Sequence, residues 1–183
     1  MSESGQTTSS ALQELLRDGK LAGSWTLDAA RSEIGLKSKS IWGLVPVKGV
    51  FGQVSGSGTV SPAGDVNGTI TVAAGSIDTK NKKRDEHLRS ADFFDADNHP
   101  SLTFGVDGIT LSGDGAKVTG TLTVRDRTRP LSFDAKVSSF DGAEVGLDAE
   151  VKVNRADFGL TWNRMGMVSM DNTIIIHAVF SRP

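Results

Sequence analysis

The residues best suited to acid–base or metal chemistry are three histidines, His87, His99 and His177, and they stand far apart in the sequence. A hydrolase or an isomerase needs a positioned base together with a nucleophile or a metal, and the sequence contains neither an HExxH nor a G-x-S-x-G motif. His87 follows Glu86, so a metal site is one interpretation, but a position on a helix surface or in a lid is commoner because the spacing supplies no ligand set. We therefore predict a protein that is not an enzyme and holds no cofactor or metal. A hydrolase or isomerase acting on a small apolar substrate is the alternative.

A charged stretch, NKKRDEHLRSADFFD at residues 81–95, is the second group of chemically able side chains. Lys, Arg, Glu and Leu favour a helix, and a Thr or an Asn just before them can cap it, so a helix is predicted over residues 80–90. Its charge pattern alone is typical of a solvated surface helix. Because Phe93 and Phe94 follow directly, we expect this helix to lie beside a site that buries aromatic rings.

The elements around this helix are predicted to be antiparallel strands. From Gly23 onward apolar and polar residues alternate, and turn dipeptides such as Asp107-Gly108 recur. The alternation is clearest from Glu144 to Arg155, where one face is apolar and the other charged. Further strands are predicted at 24–28, 32–39, 47–60, 66–74 and 101–111, and around three apolar rows: Val118, Leu122 and Val124; Leu131, Phe133, Ala135 and Val137; and Ile174, Ile176, Ala178 and Phe180. About eight short strands of this kind are typical of a sandwich or a closed barrel.

Whether the interior is hollow or filled stays open at this level. Several predicted inward positions carry small residues, namely Ala74, Gly120, Ala135, Ala149 and Ala178. An eight-stranded barrel is either filled by side chains or holds one small ligand, so small inward residues favour a cavity. A packed core that alternates large and small residues explains the same pattern.

The N-terminal segment, residues 1–22, is predicted to be a tail and a short amphipathic helix outside the main domain, residues 23–183. The first eight residues are small and polar, which indicates a disordered start. A helix is predicted at about 10–18 by a capping box and by leucines that share one face: Leu12, Leu15 and Leu16. We expect it to plug or flank the main fold, with a partner-binding helix as the alternative.

Composition excludes several classes of partner. With 20 basic and 22 acidic residues and a net charge of −2, the chain lacks the field that would attract nucleic acid or an anionic membrane surface. Cysteine is absent, which excludes disulfides and thiolate chemistry. No apolar run is long enough for a membrane span, and the N-terminus lacks the pattern of a signal peptide. We therefore predict one cytoplasmic domain without stable membrane insertion, for which a homodimer is compatible with the sequence.

Five segments follow one another along the chain: GSWTLDAARSEIGLKS, VKGVFGQVSGSG, GSIDTKNKKRDEHLRSADFFDADNHPSLTF, VTGTLTVRDRTRPLSF and VNRADFGLTW. Together they resemble the YceI-like family of bacterial lipid-binding proteins over nearly the whole chain after residue 22. The resemblance is most specific in the central block, where these residues match the family pattern: Ser76, Ile77, Asp78, Thr79, Asn81, Arg84, Asp85, His87, Leu88, Phe93, Phe94 and Pro100.

The resemblance implies an all-β fold, an extended antiparallel eight-stranded barrel of lipocalin-like character with a helical insert over one side. It also implies a cavity, because members of the family carry polyisoprenoid chains inside the barrel. Two departures limit what is carried over. Secreted members begin with a signal peptide, and this N-terminus lacks that pattern, so a periplasmic role is not carried over. The segment after the first strands is usually rich in aromatic residues, whereas here it is SIWGLVPV at residues 40–47.

The function implied is the binding, storage or transport of a polyisoprenoid lipid, of the prenyl quinone or polyprenyl phosphate type, in an apolar barrel cavity. A filled-core barrel that serves as a protein-interaction module is the alternative. The residues predicted to line the tunnel or its lid are Trp42, Phe51, Ile70, Val72, Arg84, His87, Leu88, Phe93, Phe94, Phe104, Leu122, Phe133, Leu147, Ala149, Val151, Phe158, Trp162, Met165, Met167, Ile174, Ile176 and Phe180.

Arg84 has two interpretations. Its forked N–H groups suit a phosphate or a quinone oxygen, with Lys80, Lys82 and Lys83 adding positive potential. Alternatively, Arg84 and Asp85 form a buried ion pair that pins the helix to the barrel, because buried charges require partners.

A second apolar group surrounds the methionines near the end of the chain. Methionine adapts its shape, which suits a portal that admits a flexible chain, although ordinary packing of loops onto the core explains the same residues. The group consists of Trp162, Met165, Met167 and Met170, with Trp42 and Leu44 from the earlier loop.

Overall fold

The computed structural model describes residues 3–40, 44–112, 115–163 and 168–183. Within them, two α-helices, α1 (Glu3–Arg17) and α2 (Lys82–Arg89), accompany eleven strands. The strands before α2 are β1 (Gly23–Leu27), β2 (Glu33–Ser40), β3 (Val45–Phe51), β4 (Val54–Val60), β5 (Val66–Ala73) and β6 (Ile77–Asp78). Those after α2 are β7 (Ser101–Ser112), β8 (Gly115–Val124), β9 (Arg127–Phe140), β10 (Glu144–Asn154) and β11 (Asp171–Ser181).

Eight of these strands close into an antiparallel barrel. Their hydrogen-bonded order is β1, β4, β5, β7, β8, β9, β10 and β11, and the pairing of β1 with β11 closes the ring. β2 pairs with the first half of β11 while β1 pairs with its last residues, so β1 and β2 lie end to end along one neighbour. The barrel is therefore long, which confirms the predicted extended, eight-stranded, lipocalin-like fold.

One predicted strand is two strands in the structure. The segment 47–60 divides into β3 and β4, with Gly52 and Gln53 between them. Here the backbone changes its pairing partner: the Gly52 N–H donates to the Ser76 carbonyl at 3.1 Å, next to β6, and the Gln53 carbonyl accepts from the Ala73 N–H at 3.0 Å, at the end of β5. The prediction of a continuous strand was wrong because these partners lie twenty or more residues away along the chain.

The inward faces of the long strands follow the predicted period of two. On β10, Leu147, Ala149, Val151 and Val153 face the interior, and β11 pairs with β10 residue by residue from Glu144–Ser181 to Asn154–Asp171. The four apolar residues predicted on one face of β11 also face the interior: Ile174, Ile176, Ala178 and Phe180. Alternation in the sequence therefore places one side chain of every two inside the barrel.

One end of the barrel, called the mouth below, is covered by α2 and the loop that follows it. The side chain of Asn81 caps α2 by accepting a hydrogen bond from the Arg84 N–H at 3.1 Å. Phe93 and Phe94 come after the helix and are both buried. The predicted helical insert at 80–90 is confirmed, as is its position beside buried aromatic rings.

The opposite end, called the closed end, is covered by α1. The helix runs from Glu3 to Arg17, so the helix predicted at about 10–18 is present but begins seven residues earlier, in the stretch expected to be disordered. Once nucleated, a helix extends by one hydrogen bond for each residue added, and the polar residues before Ser10 permit this extension. Leu12 is 6% exposed and packs against Leu21, Trp25 and Leu111. The helix therefore packs onto the barrel as expected for a plug.

Within the described ranges, neither helix combines the length and the apolar character that a membrane crossing requires.

Candidate ligand-binding cavity

A cavity of about 470 Å³ lies inside the barrel, from the mouth to the middle of the long strands. Its size is within the usual range for ligand-binding pockets. Every predicted tunnel or lid residue that the structure describes lines it: Phe51, Ile70, Val72, Arg84, His87, Leu88, Phe93, Phe94, Phe104, Leu122, Phe133, Leu147, Ala149, Val151, Phe158, Trp162, Ile174, Ile176 and Phe180. The remaining three, Trp42, Met165 and Met167, lie outside the described residues.

Small residues create part of this space, but not all those predicted to do so. Ala135, Ala149 and Ala178 line the cavity. Gly120 instead allows close approach of the backbone, because a Cβ there would lie 2.8 Å from the Phe104 ring and still closer to the Gly105 carbonyl oxygen. Ala74 is buried in the core cluster near the mouth and is not among the cavity-lining residues. For these two positions the prediction of an inward residue that opens a cavity was wrong.

The lid helix is fixed to the barrel through Thr79. The Asp85 carboxylate accepts hydrogen bonds from the Thr79 N–H at 2.9 Å and from its hydroxyl at 2.5 Å. The Arg84 Nε donates to the Thr79 hydroxyl oxygen at 2.8 Å, and Nη2 donates to the Thr79 carbonyl at 2.7 Å. Arg84 and Asp85 therefore meet through the threonine, and the described part of the chain contains no direct ion pair between them. Arg84 also lines the cavity, so anchoring the lid and facing a ligand are compatible roles.

His87 lies in an aromatic corner of the mouth. Its ring is 4.4 Å from the Trp162 ring and 5.1 Å from the Phe93 ring, centroid to centroid, both edge to face. Its Nε2 is 2.8 Å from an oxygen of Asp92. No cluster of three metal-ligating side chains occurs among the described residues. The His87 ring therefore packs the lid against Trp162.

Arg155 is a feature of the site that sequence reasoning missed. Its side chain is buried, with the residue 7% exposed, and it lines the cavity. Nη1 donates to the carbonyls of Leu160 at 2.8 Å and Trp162 at 2.7 Å, while Nε donates to that of Ser169 at 3.0 Å. Nη2 donates to the Val168 carbonyl at 3.3 Å. The Arg155 guanidinium thus binds four backbone carbonyls of the segment between β10 and β11.

The charge on Arg155 is balanced by backbone dipoles. No carboxylate lies within ion-pair distance of it among the described residues, and burial lowers the pKa of its guanidinium. The guanidinium also lies 5.5 Å from the centre of the Phe93 ring, a cation–π contact. The one sequence signal was a basic residue placed directly after a strand, in VNRADFG.

The mouth carries hydrogen-bond donors, and the rest of the cavity is apolar. Arg84 and Arg155 line the mouth, and no Asp or Glu is found among the described lining residues. The Ser38 hydroxyl is buried at this end without a hydrogen-bond partner in the described part of the chain. Buried hydroxyls normally find a partner, so this atom is suited to a polar group of a ligand. The arrangement fits an elongated molecule with an acceptor-rich head and an apolar tail.

Comparison with known proteins relates this arrangement to one family. Residues 25–180 match the model of the YceI-like domain. A UPF0312 protein of Staphylococcus aureus is 32% identical over 148 residues, which are 76% of this chain and 84% of that protein.

Solved structures share the barrel. BcnA of Burkholderia cenocepacia superimposes with a TM-score of 0.75 at 25% identity, covering 84% of this chain and 98% of that one. The YceI protein of Campylobacter jejuni gives a TM-score of 0.64 at 28% identity, covering 75% and 86%. A polyisoprenoid-binding domain from Saccharophagus degradans gives 0.71 at 15% identity, covering 87% and 98%, a likeness of fold alone. Because the family model spans the barrel strands, α2 and the cavity they enclose, the chain belongs to the YceI-like family.

Proposed function

We propose that this protein binds a polyisoprenoid lipid inside the barrel and stores or transports it. The observation that carries the proposal is the cavity of about 470 Å³, apolar along its length and supplied with donors at the mouth. A prenyl chain presents apolar surface throughout, and each buried methylene contributes about 0.8 kcal/mol relative to water. The polyisoprenoid-binding domain of Saccharophagus degradans has the same barrel fold, which is able to enclose such a cavity.

Selection of the ligand has to come from its head or its length. A bilayer shields a prenyl tail from water as well as a protein does, so tail burial barely shifts the equilibrium between the two. A phosphate or a quinone oxygen at the mouth would meet Arg84 and the Ser38 hydroxyl, both of which line the cavity. Charge-assisted hydrogen bonds from a guanidinium are about twice as strong as neutral ones. We therefore propose a head rich in oxygen acceptors, of the polyprenyl phosphate or prenyl quinone type.

We propose that the protein carries the lipid and does not catalyse a reaction on it. The side chains at the mouth that are able to move protons already have structural partners, since His87 binds Asp92 and Asp85 binds Thr79. In a general base, the nitrogen or oxygen atom that takes up the proton has to lie within hydrogen-bond distance of the substrate. One structural neighbour, from Saccharophagus degradans, is named as a polyisoprenoid-binding domain.

Transfer from vesicles tests this function. Protein stripped of lipid is incubated with phosphatidylcholine vesicles that carry a trace of labelled polyprenol or of the corresponding polyprenyl phosphate, and the vesicles are removed by flotation. We expect both prenyl lipids to stay with the protein, and labelled phosphatidylcholine to float with the vesicles. Equal retention of phosphatidylcholine and prenyl lipid would contradict the proposal and favour a general carrier of acyl chains.

Substitution of Arg84 tests the head group. Because a hydrogen bond to a charged group contributes about 1.5–3 kcal/mol, Arg84→Ala should lower retention of the polyprenyl phosphate about tenfold or more. Retention of the polyprenol should change far less. Lys136→Ala, at an exposed site on β9 between the buried residues Ala135 and Val137, is the matched control. Equal loss of both lipids together with a lower melting temperature would assign Arg84 to anchoring the lid alone.

A further inference from the structure

A second, smaller cavity continues the first toward the closed end. It has a volume of about 130 Å³ and shares five lining residues with the main cavity: Ile70, Val106, Ile109, Leu147 and Phe180. On β10 the lining passes from Leu147 to Val145, and on β8 from Val118 to Ala116, so both strands continue one inward row. The two spaces therefore lie in sequence along the barrel axis.

α1 and the turn after it form the end wall of this second cavity. Leu12 and Leu16 of α1, with Leu21 and Trp25, line it on the side away from the mouth. The wall is held by a few polar contacts, in which Arg182 donates to the Lys20 carbonyl at 2.7 Å and Gln13 donates to the Leu111 carbonyl at 3.4 Å. The family model begins at residue 25, so Leu12, Leu16 and Leu21 of this wall belong to a segment that the family model does not include.

We infer that the second cavity receives the end of the prenyl chain and that α1 sets the longest chain the barrel accepts. The inference rests on the proposed function and adds a determinant of specificity to it. Val145 lies two residues beyond Leu147, which extends the path by roughly 7 Å along the strand. This is the length scale of a single prenyl unit and not of a whole chain. The wall therefore discriminates between neighbouring members of a prenyl series.

Competition with a bilayer makes this limit measurable. A prenyl chain that fits in the cavity stays shielded from water when it leaves the membrane. A chain longer than the cavity leaves methylenes exposed to water or displaces α1. Two exposed methylenes correspond to about a tenfold loss of retention. Retention plotted against chain length should therefore be level and then fall at a cutoff.

The experiment uses the full-length protein and phosphatidylcholine vesicles that contain an equimolar series of prenyl alcohols, from farnesol through geranylgeraniol to solanesol. Bound alcohols are extracted and quantified by mass spectrometry. Ala116→Leu partly fills the second cavity, so its cutoff should move to shorter chains, with about tenfold lower retention of the longest chain that the wild type accepts. Leu16→Ala removes part of the wall, so its cutoff should move to longer chains.

Ala149→Leu is the matched control, because Ala149 lines the main cavity and not the second one. It should lower retention at all lengths without moving the cutoff. A cutoff that stays in place in both Ala116→Leu and Leu16→Ala, in proteins whose melting temperatures show them to be folded, would overturn the inference while leaving the proposed function intact. If the wild type retains no prenyl alcohol of any length, the proposed function and the inference both fail.

Discussion

Ala149→Trp should abolish prenyl-lipid binding and leave the lipid-free barrel folded. Ala149 lies on the inward face of β10, between Leu147 and Val151, and all three line the main cavity. An indole placed there enters space that the lipid tail would occupy, so we expect retention of polyprenol from vesicles to fall by at least about tenfold. Because the ring is buried in a space that is already present, the free energy of unfolding of the stripped protein should stay within about 1 kcal/mol of the wild type or rise.

The same variant separates a tunnel from a filled core. In a tightly packed interior, an added ring costs roughly 1–3 kcal/mol or more through overpacking. Ala29→Trp, in the exposed turn after β1, controls for the effect of the added indole outside the barrel. Urea denaturation and lipid retention are measured on one stripped preparation. A large loss of stability in lipid-free Ala149→Trp, absent from Ala29→Trp, would show that the cavity is not available at this position.

Arg155→Met should cause the largest loss of stability. The substitution keeps a long apolar side chain but removes the donors for four carbonyls, those of Leu160, Trp162, Val168 and Ser169. A buried polar group left without a partner costs about 1–3 kcal/mol. We therefore expect the free energy of unfolding to fall by at least about 3 kcal/mol, a large share of the 5–15 kcal/mol typical of a domain.

Two further variants make this result specific. Arg129→Met changes an exposed arginine of β9 and should alter stability by no more than about 0.5 kcal/mol. Arg155→Lys keeps the charge but has three donors on one nitrogen, which cannot reach carbonyls distributed around a planar fork, so it should recover part of the loss. Arg155→Met with a stability equal to that of Arg129→Met would contradict the role of Arg155 in holding the segment between β10 and β11.

Local patterns in the sequence were sufficient to predict much of this fold. The alternation over Glu144 to Arg155 decides which face of β10 is inside, because a strand projects successive side chains to opposite faces. Asn81 marks the start of α2 because a side-chain oxygen before a helix satisfies a free N–H. The cavity-lining residues follow from these two rules once the strands are known to close into a barrel.

What the sequence did not reveal depends on partners distant along the chain or on backbone atoms. The break between β3 and β4 arises from hydrogen bonds to the backbone at Ala73 and Ser76. The partners of Arg155 are backbone carbonyls, which every residue carries, so the residue types in the sequence do not identify them. Gly120 was expected to widen the cavity, yet its role is to let β8 approach Gly105, which only the packing of two strands decides.

The most direct test of the lipid-binding claim is organic extraction of the purified full-length protein followed by mass spectrometry of the extract. We expect a prenyl-chain lipid, such as a quinone or a polyprenyl phosphate, present at less than one molecule per protein because the expression host must supply it. The same lipid should be absent from an extract of Ala149→Trp prepared in parallel. Recovery of phospholipid acyl chains alone, or of no lipid together with no uptake when prenyl lipids are added, would contradict the account.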